Sequence, residues 1–212
     1  MLRAAIKLAD KHGLDALSMR RLGDALGVEA MSLYNYVSNK EDLLDGMVDV
    51  IFTEIGVPPG DADWRSAMRQ RAHAVRDVLG RHRWALRLFG SRTSPGPATL
   101  AHYDAVFGAL RRAGLSVGQA GDAYGMLNSY TIGFSVQEAL MPFETGEEAV
   151  ELVRDLMGRV PTERYPYLAE LMTERVLEGN ADPATRFDAG LEAILDAIEH
   201  RFDAASKGRR RT

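Results

Sequence analysis

Cysteine is absent from all 212 residues, and with it go disulfides, thiolate zinc sites and cysteine nucleophiles. No apolar run approaches the length that spans a bilayer. The N-terminus mixes Arg3, Lys7, Asp10 and Lys11 into its apolar pattern, so it reads as an amphipathic helix rather than a signal peptide, and a cytoplasmic protein with no membrane partner is expected. An excess of positive charge is missing too. The 26 Lys and Arg stand against 30 Asp and Glu, and the net charge of -4 argues against a nonspecific nucleic-acid coat. The histidines His12, His73, His82, His102 and His200 show no paired spacing typical of metal ligation, and His73 with Asp77 reads as an i, i+4 surface pair. No nucleophile motif, glycine-rich phosphate loop or internal repeat occurs. Catalytic residues, metal and cofactor are therefore expected to be none. Alternating strand patterns are lacking, and 46% hydrophobic with 26% charged residues is ordinary for a soluble globular chain, so the fold class is all-α.

What is present is concentrated first in residues 18–40, SMRRLGDALGVEAMSLYNYVSNK. Met19, Leu22 and Leu26 recur at helical spacing and give a short helix one apolar stripe. Gly27 supplies a turn, and Val28 is expected to plug its corner. A second short helix, Ala30 to Tyr36, buries Leu33 and Val37 and presents Met31, Ser32, Tyr34, Asn35 and Tyr36 outward. Asparagine pairs bidentately with adenine, and Tyr or Ser hydroxyls donate to phosphate oxygens, so this face suits DNA better than plain solvent. Ser38 or Asn39 caps the next helix, whose first turn carries Glu41 and Asp42 where the macrodipole favours negative charge. Lys40 projects at the edge of the same surface. Spacing alone equally fits a helix, turn and helix of any all-helical protein.

The whole block from LRAAIKLADKHGLDALSMRRLGDALGV through EAMSLYNYVSNKEDLLDGMVD resembles the DNA-binding domain of the TetR family of bacterial transcriptional repressors. The landmarks in register are Gly13, Ser18, Arg20, Leu22, Leu26, Gly27, Val28, Leu33, Tyr34, Tyr36, Val37, Lys40, Leu43 and Leu44. The resemblance implies DNA contacts from Arg20, Ala30, Met31, Ser32, Tyr34, Asn35, Tyr36 and Lys40, within a three-helix helix-turn-helix domain over residues 1–46. Two departures stand out. Family members carry a basic arm before the first helix, whereas Met1 and Leu2 already lie almost inside that helix. Through Asp45 there are also six Lys and Arg against seven Asp and Glu, so affinity must come from where the cations sit.

The rest of the chain reads as a helical effector-binding and dimerisation domain, residues 47–205, followed by a disordered basic tail, 206–212. Leu43, Leu44, Met47, Val48, Ile51 and Ile55 line one face of a helix that ends at Gly56 and the Pro58-Pro59-Gly60 break, the candidate hinge. Helices are expected over about 62–81, 84–89, 97–113, 117–140, 147–158, 163–178 and 184–204. Gly121, Gly125, Ser129 and Gly133 fall every fourth residue, a costly pattern, since each Gly loses about 1 kcal/mol against Ala in a helix interior. Close approach of another helix or a ligand would offset that cost. The last helix offers Phe187, Leu191, Ile194, Leu195, Ile198 and Phe202 on one side and Ala189, Ala193 and Ala197 on another. Packing within a monomer can absorb both stripes. The resemblance implies instead a four-helix homodimer interface, to which Gly121, Gly125, Ser129, Gly133, Leu191, Ile194 and Ile198 are assigned. Two recognition helices about 34 Å apart would then enter successive major grooves of a palindromic site.

Between these elements Arg71, Phe89, Tyr103, Phe107, Asn128, Thr131, Phe134 and Gln137 are the expected ligand-lining residues, with Trp84, His102 and Tyr130 nearby and His102 read as surface. The C-terminal part is similar to the tetracycline-repressor type through Trp64-Arg65, Ala113-Gly114-Leu115-Ser116 and Tyr130-Thr131-Ile132-Gly133. In that type a histidine of the short middle helix helps bind the drug's magnesium ion. Phe89 falls at its position, and Gln137 falls where an acidic residue would be, so the resemblance implies a mainly apolar or aromatic effector rather than a magnesium-tetracycline complex. The reading is a ligand-responsive DNA-binding regulator that leaves double-stranded operator DNA when a small-molecule effector binds. A small helical enzyme, or a helical protein-binding module without DNA recognition, is the alternative.

Overall fold

The structure, a computed structural model, describes residues 1–60, 62–143, 145–174 and 183–209, with side chains described as far as Arg201. Helix α1, Leu2–His12, buries Ala5, Ile6 and Ala9, and a 3-10 turn over Leu14–Ala16 leads to Ser18. The Ser18 hydroxyl accepts from the Arg21 amide at 3.3 Å and starts α2, Met19–Leu26. Gly27, at φ 68°, stops α2 in the left-handed conformation that L side chains resist. Helix α3 is one turn, Ala30–Leu33, and residues 34–36 continue as turns rather than as helix. The loop closes when Asn39 caps α4, Lys40–Ile55, by accepting from the Asp42 amide at 2.9 Å, while the Ser38 amide donates back to Asp42 at 3.0 Å.

Helix α4 carries the chain from the head into the body. It buries Leu43, Leu44, Met47, Val48, Ile51, Phe52 and Ile55, more than one stripe, because α1, α5 and α6 pack round it. The expected boundary after residue 46 therefore falls inside one continuous helix. Beyond it come α5, Trp64–Arg81, a 3-10 segment Arg83–Arg87 where a short helix was expected, and α6, Pro97–Arg112. A capping box between Ser116 and Gln119 opens α7, Val117–Leu140, and Thr145 caps α8, Gly146–Met157. Helix α9, Pro166–Met172, is shorter than the expected 163–178, whose end lies outside the described residues, as does most of the Asn180 to Pro183 break. Helix α10, Pro183–Arg209, runs past the expected end near Ala204, so residues 206–209 of the expected disordered tail are helical and 210–212 lie outside the described residues. No strand occurs among the described residues.

Two apolar cores result. One joins α1, α2, α3 and α4 to Val75, Val78, Leu79 and the 3-10 segment, and the other joins α5, α6, α7 and α10. Leu191 and Ile198 belong to this second core at 0% and 1% exposure, so they pack within the protomer and are not available to a partner. Ile194 is only partly buried, and Ala189, Ala193 and Ala197 are the exposed face of α10. Two further expectations fail in the head: Leu26 and Val28 are 38% and 45% exposed. Leu17, Leu22 and Leu33 close the head core without them. No helix among the described residues is long and apolar enough to cross a membrane.

Candidate nucleic-acid interface and effector site

The turn between α2 and α3 is held by the Val28 amide donating to the Gly23 carbonyl at 3.0 Å. A Cβ at Gly23 would lie 2.7 Å from the Val28 oxygen, so only glycine lets the two helices approach this closely. That approach sets the angle at which α3 leaves the head. Met31 and Tyr36 project into solvent at 73% and 77% exposure, and Tyr34, Asn35, Arg20 and Lys40 are exposed as well. Ala30 and Ser32 are half-buried, and the Ser32 hydroxyl already donates to the Glu29 carbonyl at 2.7 Å. A cleft of about 390 Å³ runs beside this surface, bounded by Met1, Leu2, Tyr34, Tyr36, Asp42 and Gly46. The sequence reading did not assign Asp42 a role beyond helix charge, yet its bond to the Ser38 amide fixes the loop that presents Lys40.

A set of polar links ties α1 and α4 to the segments that follow them, and none of these links was assigned from the sequence. Asp10 of α1 takes both the His82 ring at 2.7 Å and the Trp84 indole N–H at 2.7 Å, and Glu54 meets the other His82 nitrogen at 3.2 Å. Arg92 pairs with Glu41 at 2.8 Å and with Asp45 at the start of α4. Asp49 of α4 accepts from the Ala98 and Thr99 amides and from the Thr99 hydroxyl. His73, expected to pair with Asp77, instead meets Asp188 of α10 at 3.2 Å.

Deeper in the body, α5, α6 and α7 bring Arg71, His102 and Asn128 together. Arg71 Nε donates to His102 Nε2 at 3.0 Å, and Nη2 donates to Asn128 Oδ1 at 2.9 Å. His102 Nδ1 lies 2.7 Å from the Gly56 carbonyl at the end of α4. Those partners assign the neutral tautomer with the proton on Nδ1. His102 is fully buried, not surface as expected, because the rings of Phe52 and Tyr103 cover it. Burial first, and Arg71 second, hold its pKa down at about 4.

Aromatic rings continue the cluster. Phe89 stacks on Phe52 at 4.9 Å, Tyr103 meets Tyr124 edge-on at 5.8 Å, and Phe107 lies 5.2 Å from Tyr124. Tyr124 went unnoticed in the sequence although it sits four residues before Asn128, on the same face of α7. Its phenol is pushed up by burial and stays neutral. Three expected lining residues sit differently. Phe134 packs on Tyr130 and Phe187 at 5.9 and 5.1 Å under Arg76, Gln137 is exposed, and the buried Thr131 hydroxyl donates to its own helix at Leu127. Tyr130 itself is an anchor, its hydroxyl donating to the Phe187 carbonyl of α10 at 2.9 Å.

The depressed His102 makes a stability prediction. The unfolded chain takes up a proton near pH 6.5 that the folded protein refuses until about pH 4, so stability is lost as the pH falls through that window and is unaffected above it. His102→Gln, which keeps a donor and an acceptor, should lose less stability than the unaltered protein between those limits. The difference, read from urea unfolding at successive pH values, is at most about 3 kcal/mol. Parallel pH profiles for the two proteins would show that His102 is not held neutral.

Comparison with known proteins matches this architecture in both halves. Residues 1–47 match the family described as bacterial regulatory proteins, tetR family, and residues 57–202 match the tetracyclin repressor-like C-terminal domain. The HTH-type transcriptional repressor DrrR1 of Streptomyces coeruleorubidus is 32% identical over 211 residues, covering 94% of this chain and 76% of that protein. The class A tetracycline repressor from transposon 1721 of Escherichia coli is 30% identical over 204 residues, covering 95% and 89%. Among solved structures, ActR of Streptomyces coelicolor in complex with actinorhodin superposes with a TM-score of 0.76 at 27% identity, covering 94% of each chain. With an N-terminal head and a helical body that both match, the chain belongs to the TetR family of bacterial regulatory proteins, whose relatives are transcriptional regulators rather than enzymes.

Proposed function

We propose that the protein is a homodimeric repressor that holds a palindromic operator through two recognition surfaces and releases it when a small, mainly apolar or aromatic effector binds among α4, α5, α6 and α7. The observation that carries this reading is the exposed Met31, Tyr34, Asn35 and Tyr36 surface with Lys40 at its rim. Tyr36, at 77% exposure, has little packing role in the protomer, and Tyr34 and Asn35 are exposed next to it in the chain. They suit base edges and phosphates. A relative solved with actinorhodin supports a small-molecule effector for this fold. The dimer rests on the exposed stripe Gly121, Gly125, Ser129 and Gly133 of α7, flanked by Val117 and Leu140 at 75% and 78% exposure.

Titration of the protein against DNA from its own upstream region, at two salt concentrations and with unrelated DNA as competitor, tests the reading. Saturable binding that resists competitor and weakens with salt is expected. Tyr34→Ala and Lys40→Ala should each weaken it by about 1 to 3 kcal/mol with the fold intact, and only the lysine variant should flatten the salt dependence. Folded variants with undiminished affinity would remove these residues from the interface.

A further inference from the structure

We propose that the effector is an anion, a carboxylate or ionised phenol on an aromatic body, seated on Arg71, and that His102 relays its arrival to the end of α4. The proposal rests on the regulator reading above and names the chemistry of its ligand.

Arg71 is 3% exposed, yet its described partners are neutral: an imidazole, an amide oxygen and the face of Tyr124, 5.1 Å from the guanidinium carbon. Among the described residues no Asp or Glu pairs with it, whereas the less buried Arg65, Arg76 and Arg92 are each matched by carboxylates. Guanidinium does not discharge by losing a proton, and a buried charge without a counterion is unfavourable. His102 cannot serve, since it is neutral and uses its lone pair to accept from Arg71. The Nη1 group meets no acceptor among the described residues. No fully enclosed side-chain nitrogen or oxygen there lacks a hydrogen bond, so Nη1 keeps some accessible surface. The missing partner is thus an anion that arrives from outside, with Tyr103, Phe107 and Tyr124 to cover its apolar body.

A carboxylate engages guanidinium through two parallel N–H bonds, from Nη1 with Nη2 or from Nη2 with Nε. The first pair draws on the donor now committed to Asn128, and the second also takes the one committed to His102. Loosening the Arg71 hold on His102 loosens the imidazole that grips the Gly56 carbonyl, where α4 ends. The anion therefore favours a conformation in which α4 is freer, which is the differential binding that linkage requires for release of DNA.

Calorimetry on the full chain with benzoate, 2-naphthoate and anthraquinone-2-carboxylate, each against its own carboxamide, tests the charge preference. At least one acid should bind about tenfold or more tighter than its amide. Arg71→Met should erase that preference and Arg71→Lys should keep part of it. His102→Ala should retain acid binding while losing acid-driven release of operator DNA. If no acid outbinds its amide in the unaltered protein, the anion proposal is overturned. Specific operator binding in the same preparation would then leave the regulator reading standing, and its absence would overturn that reading instead.

Discussion

Gly125→Leu should yield a folded monomer with little operator affinity. A Cβ added at Gly125 meets nothing within 4 Å, and the same holds at Gly121 and Gly133. Within the protomer the leucine therefore has room, and replacing a mid-helix glycine should stabilise α7 by about 0.5 to 1 kcal/mol. In the proposed dimer the damage falls only where a second copy brings its backbone against the stripe. Two tethered heads bind more tightly than one by roughly 10² to 10⁴, and that advantage disappears with the dimer. Sedimentation should read a single protomer mass and operator titration should lose its high-affinity phase, while thermal melting stays unchanged or rises. A variant that sediments as a dimer of normal strength and keeps its operator affinity would assign the glycine stripe to something other than self-association.

The same stripe shows where sequence reading succeeds. Four small residues at a spacing of four specify a face whatever packs on it, and α7 occupies the expected range from Val117 to Leu140. Gly27 and a cap at Ser38 or Asn39 are equally legible, because a left-handed turn and a helix cap are local chemistry, and the structure uses Asn39. Partner choice was not. Leu191 and Ile198 have the same apolar character whether they face α5 and α7 or another subunit, and only the tertiary arrangement places them inside. His102 looked like surface because its cover, Phe52, comes from a helix 50 residues earlier in the chain, one turn before Gly56, whose carbonyl it holds. Phe134 and Gln137 share α7 with Asn128, yet the helix turns them away from the Arg71 cluster, one toward α10 and one toward solvent. The links from α1 and α4 are illegible for the same reason. Nothing local sets Asp10, Asp49 and Glu54 apart from other helix acids, and their partners lie between 27 and 74 residues away.

Among those links Asp49 carries the second large effect. Helix α6 starts at Gly96 and Pro97 without a side-chain cap of its own. Asp49 reaches across from α4 and supplies it, accepting from the Thr99 amide at 2.8 Å, the Thr99 hydroxyl at 2.9 Å and the Ala98 amide at 3.3 Å. Any side chain at Gly96 would collide with that carboxylate, which explains the glycine there. Asp49→Ala should leave these donors without an acceptor in a part-buried setting and cost about 2 to 4 kcal/mol in urea unfolding, with little change in slope. Asp49→Asn, which retains one acceptor oxygen, should recover part of that loss. The functional consequence follows from where α6 holds α4. One grip is Asp49 on the N-terminus of α6, and the other is His102 on the Gly56 carbonyl, at the far end of α4. With the first grip cut, movement at Gly56 is no longer levered against a fixed point. Asp49→Ala, assayed at a temperature where it remains folded, should still bind operator DNA within a few fold of the unaltered protein and should need a higher effector concentration to release it. Unaltered stability would show that Asp49 does not cap α6, and an unaltered release curve in the destabilised variant would confine that cap to holding the fold.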